Sequence, residues 1–300
     1  MTTDRFLRDL RQRLGDAGLS GSFLVRDLTT GAEIGIEPDI EYPVASLVKI
    51  PLAVAVLNQI EHGRIDGATM LDVEPGRVST PGPTGLTRFR HPARIAVDDL
   101  LYLSTAISDN AAADALFGLV GPGEVDRCLR DAGISGIAVR HLLRDLVETP
   151  VERFEPRDAH LAHSLAIGSR GAARGHAVTQ LDVARANTGT ARAFVDLLQA
   201  LWSPSSIAPG VAARTRGLMA GNLIGHRLAP DFSSDASRWS SKTGTLLNLR
   251  HEVGVVEHDD GGVFAVAALT ESSVPAVVQP AAEAMMAQAA RELHDHLRGQ

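Results

Sequence analysis

Tyr42-Pro-Val-Ala-Ser46-Leu-Val-Lys49 leads into an apolar run, Ile50, Leu52, Ala53, Val54, Val56, Leu57 and Ile60. The run predicts a buried helix from Ser46 to about His62. Pro51 falls in its first turn, where a missing N–H costs least. Ser46 and Lys49 are three residues apart at that helix start, so their side chains share a face. A serine there meets free backbone N–H donors and a dipole that favours a developing oxyanion. A lysine one turn on, desolvated and near a second cation, can lose enough basicity to deprotonate the hydroxyl. The spacing alone decides little, since roughly one Ser-x-x-Lys is expected in a chain of this size. An ordinary helix cap followed by a surface lysine is the plainer reading, and the apolar neighbours argue against it.

The basic residues single out the same lysine. Of 29 basic residues, all but Lys49 and Lys242 are arginine. Arginine stays charged at any physiological pH, whereas a buried lysine can give up its proton. Lys242 opens Lys242-Thr243-Gly244-Thr245 on a strand predicted over Arg238–Leu246. Glycine in a strand permits close approach by a ligand backbone, although a twisted edge strand would also explain it. Ser108-Asp109-Asn110 lies between two helical segments. It reads either as a helix break with Asp109 or Asn110 as N-cap, or as a loop projecting a hydroxyl and an amide into a cleft.

Outward from these motifs, strands fall at both ends of the chain and helices in the middle. An amphipathic helix at 3–18 carries Phe6, Leu7, Leu10 and Leu14. Gly21–Asp27 and Ala32–Ile36 flank Thr29-Thr30-Gly31 as a hairpin. Residues 79–85 read as a loop, followed by helices at about 97–107, 110–119 and 123–132. Asp98-Asp99 begins the first of these, where carboxylates favour the dipole. The stretch 134–187 reads as irregular and long enough to be a functional or covering loop. Helices return at 190–202 and 210–221, then strands at Arg238–Leu246, Glu252–Glu257 and Val263–Thr270, then a helix over 275–297. The pattern predicts an α/β (α+β) protein: an antiparallel sheet flanked by helices, built from residues 1–43 and 205–300. A helical domain, 44–204, is inserted between them and carries Ser46, Ser108 and the long loop 134–187.

A net charge of −7 argues against a nucleic-acid footprint. No run approaches the roughly 18 apolar residues of a membrane span. The first residues have no apolar export segment, so a cytoplasmic location is the expectation. Cys128 is alone and forms no internal disulfide. His160 and His163 share a helical face but lack a third ligand, so no metal is expected. His294 and His296, near the C-terminus, read as solvated. No cofactor is expected, and the partner is a small-molecule substrate.

Taken in order, Ser46-Leu-Val-Lys49, Ser108-Asp-Asn110 and Lys242-Thr-Gly244 resemble the three motifs of class A serine β-lactamases and penicillin-binding proteins. The resemblance covers roughly residues 20–132 and 188–275. It implies a β-lactamase/transpeptidase-like fold and a serine hydrolase that opens β-lactam amides through an acyl-Ser46 intermediate. A carboxypeptidase, acyl transferase or esterase acting on D-alanyl or other acyl substrates, and a non-catalytic binding module, are the alternatives. By the same resemblance Lys49 accepts the proton of Ser46, directly or through water, and Ser108 relays it to the leaving nitrogen. Asn110 holds the substrate's amide side chain. Lys242 supplies positive potential for a substrate carboxylate, to which Thr243 and Thr245 hydrogen-bond across Gly244. The N–H groups of Ser46 and Thr245 form the oxyanion hole. Arg250 resembles an arginine that many class A enzymes aim at that carboxylate; a solvated strand arginine is the other reading. For deacylation the family uses a glutamate in an Arg-x-Glu-Pro-x-x-Asn pattern. Arg153-Phe154-Glu155-Pro156 matches its first four positions, but Ala159 stands where the asparagine belongs. In a second alignment Arg140–Asp145 occupies that loop, Glu155 falls in an insertion, and no deacylating base is evident.

Overall fold

The computed structural model describes residues 2–75, 84–147, 155–168, 175–276 and 278–299. The expected loop residues 79–83, and Arg153 and Phe154, lie outside these. The chain begins with α1 (Thr3–Asp16), β1 (Leu19–Asp27), β2 (Glu33–Ile36) and a two-residue β3 (Tyr42–Pro43). Next come α2 (Lys49–Glu61), β4 (Met70–Val73), β5 (Ala93–Ala96), α3 (Val97–Ala106) and α4 (Asn110–Asp131). They are followed by β6 (Ile137–Ala138), α5 (Arg144–Val147), α6 (Ala159–Gly168), β7 (Thr188–Gly189), α7 (Ala191–Trp202), α8 (Pro209–Ala220) and α9 (Ala229–Phe232). The C-terminal part is β8 (Ser237–Leu246), β9 (Leu249–His258), β10 (Val263–Ser272) and α10 (Pro280–Arg298).

The two ends of the chain meet in one five-stranded antiparallel sheet, ordered β2-β1-β10-β9-β8. Its central strand explains its own sequence. Phe264, Val266 and Ala268 pack with α1 and α10 residues such as Leu10 and Met286. Ala265, Ala267 and Leu269 pack on the opposite side with residues of α2, α4 and α7. Successive side chains alternate between faces, and both faces are covered, so the strand reads as a continuous apolar run. The architecture is the one expected from the sequence, a five-stranded antiparallel sheet flanked by helices plus a helical region. The helical region and the sheet share a continuous core, and α8 packs on both α2 and β8.

Helix α2 is apolar all round because it is the axis of that core: every residue from Lys49 to Leu57 is buried. α4 is a pair of helices fused across Gly121, whose φ of 67 precedes Pro122. Such a backbone favours glycine, and a proline just beyond it supplies no N–H to an interrupted ladder.

Three expectations need correction. β9 begins at Leu249 rather than Glu252, because a two-residue turn at Leu247-Asn248 joins it directly to β8. The 134–187 stretch holds β6, α5, α6 and β7 among its described residues, with Ala162 and Ala166 of α6 packed on Leu247 and Leu249. Periodicity missed α6 because its apolar residues face both inward and outward. His294 is not solvated. It is 1% exposed, edge-on to Phe232 and Phe264, and its Nε2 lies 3.0 Å from Nε2 of His258. His296 stacks on Phe6.

The His258–His294 contact has a defined polarity when both rings are neutral. Nδ1–H of His294 donates to the Asp295 carboxylate at 2.8 Å. Its Nε2 therefore accepts, and Nε2–H of His258 donates. Burial, opposed by Asp295, holds the His294 pKa below the usual value, and burial with Arg298 does the same for His258. As pH falls below about 6.5 the unfolded chain binds these protons first, so their contribution is complete above that pH and lost below it. The urea midpoint should fall between about pH 7.5 and about pH 5.5, and His294→Gln should reduce that slope. An unchanged slope in the variant would remove the pair from the acid response.

Candidate active site

Ser46 sits in a 3₁₀ turn, Ala45–Val48, that runs directly into α2. Ala45 takes φ 47, a left-handed conformation costly for a residue with a Cβ. The turn is pinned on both sides: Val44 N–H donates to Asn187 O at 2.9 Å, and Leu47 N–H donates to Val44 O at 3.0 Å. Ser46 keeps partial exposure, whereas Lys49 is 0% exposed.

Lys49 Nζ lies 3.2 Å from Ser46 Oγ, 3.1 Å from Ser108 Oγ, and 2.7 Å from both Ser108 O and Asn110 Oδ1. An amine with two hydrogens can donate to the two nearer carbonyl-type oxygens, leaving its lone pair for a serine hydroxyl. Burial lowers the Lys49 pKa to about 7, against the opposing pull of Asp109 and Asp114. Lys242, also 0% exposed, donates to Thr243 O at 2.8 Å and reaches Ser108 Oγ at 3.0 Å. Burial, then repulsion from Lys49 and Arg227, holds its pKa well below the usual lysine value, with Glu252 opposing. The Ser108 hydroxyl thus bridges the two amines.

That bridge is held by Asp109. Ser108 takes φ 60, and Asp109 caps α4 through Ala111 N–H and Ala112 N–H. The same carboxylate accepts from Thr87 Oγ1 at 2.6 Å and from Leu86 N–H. The helix-cap reading of Ser108-Asp109-Asn110 therefore holds. Asp109 is the cap, and the cap aims Ser108 Oγ and Asn110 Oδ1 at Lys49.

Along β8, Thr243 is buried and Thr245 exposed. Gly244 is needed by the protein's own backbone: a Cβ there would stand 2.8 Å from Val44 O and 3.1 Å from the Leu47 side chain. The turn carrying Ser46 rests on this strand with no room for a side chain between them. Gly244→Ala should displace the turn and lower stability by about 1–3 kcal/mol, read as a fall in the urea midpoint. A wild-type midpoint in that variant would show that the contact is dispensable.

The structure brings Ser46, Lys49, Ser108, Asn110 and Lys242 together, with Thr243 and Thr245 on the adjoining strand. Arg250 points elsewhere. Its Nη1 donates to Leu247 O at 2.6 Å and Leu249 O at 2.8 Å, and its Nε is 3.7 Å from Glu283. Burial lowers its pKa to about 10. It braces the β8–β9 turn, since β9 starts early enough to place residue 250 beside it. The cation at Thr245 is Arg227, which sequence reasoning missed. Arg227 is 3% exposed and donates to Thr245 Oγ1 at 2.7 Å, Gly244 O at 3.0 Å and His251 O at 2.9 Å, with Glu283 Oε1 3.1 Å from its Nε. Because Thr245 Oγ1 accepts from Arg227, its own hydrogen is free to donate to an anion. Nothing local marks Arg227; it lies in an aperiodic link between α8 and α9.

Glu155 is exposed and shares no hydrogen bond with Ser46, Lys49 or Ser108 among the described residues. The carboxylates that act on Lys49 are Asp109 and Asp114. Arg140–Asp145 lies alongside α4, one turn beyond Asn110. Leu143 N–H and Arg144 N–H donate to the Asp114 carboxylate at 2.7 and 2.8 Å. Arg140 Nη1 donates to Thr188 Oγ1 at 3.0 Å. Leu143 is fully buried, and Asp145 is exposed.

Comparison with known proteins matches residues 5–297 to the family model described as the β-lactamase enzyme family. A protein of Streptomyces cacaoi named β-lactamase regulatory protein BlaB is 63% identical, over 99% of both chains. Extended-spectrum β-lactamase PER-1 of Pseudomonas aeruginosa is 33% identical over 35% of each chain. Among solved structures, a β-lactamase from Sphaerobacter thermophilus superposes with a TM-score of 0.73 at 20% identity over 95% of each chain. A mutant of PBP-A, in an acyl-enzyme complex with penicillin G, superposes with a TM-score of 0.73 at 17% identity over 98% of each. Both show likeness of fold.

Proposed function

The chain belongs to the β-lactamase enzyme family, and on that footing we propose that it opens β-lactam or related amides onto Ser46. The observation that carries this is the position of Lys49, buried, 3.2 Å from Ser46 Oγ, with a pKa near 7. At neutral pH a substantial fraction of that amine is free to take the hydroxyl proton as Ser46 Oγ attacks the substrate carbonyl. The oxyanion that forms faces the N–H groups of Ser46 and Thr245. Ser108 hands its hydrogen to the departing nitrogen and receives one from Lys49, so the proton of Ser46 ends on the leaving group. Lys242, Thr243 and Thr245, the last oriented by Arg227, suit a substrate carboxylate.

A second reading concerns what happens next. Among the described residues Glu155 is exposed and shares no hydrogen bond with Ser46, Lys49 or Ser108, and the segment beside α4 sets buried Leu143 against Asp114. If no carboxylate activates a water at Ser46, the acyl group persists, as in a carboxypeptidase, an acyl transferase or a protein that reports on its ligand. The regulatory name of the Streptomyces cacaoi relative accords with this reading.

Mixing the protein with a chromogenic cephalosporin while following its mass tests both. Acylation should give an adduct lost in Ser46→Ala, with a rate that rises with pH through about 7 as Lys49 is deprotonated. Lys49→Arg, permanently charged, should lose about a thousandfold. Sustained turnover, slowed in Glu155→Gln, would establish hydrolysis; one equivalent of stable adduct would establish the second reading. No adduct with any β-lactam or ester probe would defeat both.

A further inference from the structure

We infer that His251 is a positioning residue for the nucleophile: its imidazole fixes the Pro43 carbonyl, and so the turn carrying Ser46, against β9, the strand paired with the one carrying Thr245. The inference rests on the proposed acylation of Ser46. His251 lies on β9, opposite Gly244 of β8 and Leu269 of β10, and is 0% exposed. Thr270 N–H donates to its Nδ1 at 3.1 Å, so Nδ1 carries no hydrogen. Nε2–H then donates to Pro43 O at 2.9 Å, a carbonyl three residues before Ser46. The ring has one tautomer and no spare polar atom. Burial, with Arg227 and Arg250 nearby, keeps it uncharged.

The turn needs such a hold. Ala45 at φ 47 stores about 1–3 kcal/mol of backbone strain. A strained residue relaxes unless the segments around it are over-determined. Asn187 O takes the Val44 N–H, and His251 takes the carbonyl just before it. Tyr42 meets the same imidazole edge-on, with ring centroids 6.1 Å apart. The His251 carbonyl also accepts from Arg227. One residue therefore touches the nucleophile's turn, the strand of the oxyanion donor and the cation at Thr245. Sliding the turn on β8 by about 1 Å would misplace Ser46 Oγ relative to both lysines and cost about a hundredfold in rate.

Two variants divide the imidazole's functions. His251→Gln retains an N–H donor that reaches Pro43 O and leaves Thr270 N–H unpaired. His251→Asn retains an acceptor near Thr270 N–H and loses the bond to Pro43. Each forfeits one buried hydrogen bond, so a merely structural role would lower stability and acylation alike in both. Single-turnover acylation by a chromogenic cephalosporin separates ground-state affinity from the acylation rate constant. The Asn variant should lose about ten- to a hundredfold in the rate constant, with affinity within about threefold; the Gln variant should stay within about threefold of wild type in both. Equal losses in the two variants, or none in the Asn variant, would overturn the assignment. Nitrogen NMR of the wild-type imidazole should show the neutral Nε2–H form at pH 6, and the other tautomer or a charged ring would overturn it even if neither variant folds. A wild-type chain that forms no adduct would refute the serine reading first, and this inference with it.

Discussion

One hydroxyl between two buried amines sets the terms for the rest of the molecule. Ser108 Oγ lies 3.1 Å from Lys49 Nζ and 3.0 Å from Lys242 Nζ. Two ammonium groups sharing one oxygen in a dry interior would repel strongly, so at least one amine is pressed toward its neutral form. That pressure makes a lysine useful as a base, and it works only while water stays out. Helix α2 is buried on every side, β10 is covered on both faces, and Asp109 ties the Ser108 turn to Leu86 and Thr87. Each serves to keep the two amines dry and close.

Much of this was legible in the residues, for identifiable reasons. The core strands and α2 have strong hydrophobic patterns, and a pattern of that kind fixes which face is buried. Lys49 and Lys242 stood out because arginine fills every other basic position. Asp109 was legible as a cap because capping is a local interaction. What failed depended on long-range geometry. Arg227 and Glu283 are far apart in sequence and meet only after α10 docks on the sheet. Resemblance alone aims Arg250 at a substrate carboxylate, and only the folded β8–β9 turn shows its guanidinium on Leu247 O and Leu249 O. His294 was misread from its nearness to the chain end, which says nothing about which face of α10 packs.

Acylation and release stand on different supports. The groups proposed for acylation come from α2, the start of α4 and β8, all in the main core. The residues proposed to bear on release lie in the stretch between β6 and β7, whose described residues near Arg140 and Leu143 are held by side-chain bonds involving Asp114, Arg140 and Asn187. Among its described residues that stretch packs Leu143 into the main core and Ala162 and Ala166 onto Leu247 and Leu249.

The arginine-rich composition has a practical corollary. A lysine-specific protease finds only Lys49 and Lys242 as targets, and both are 0% exposed in the folded protein. Neither α2 nor β8 can enter a protease cleft without leaving the core. Cleavage by such an enzyme would therefore read the population of chains in which the centre of the molecule has opened. Fraying at the termini or motion in surface loops would not register.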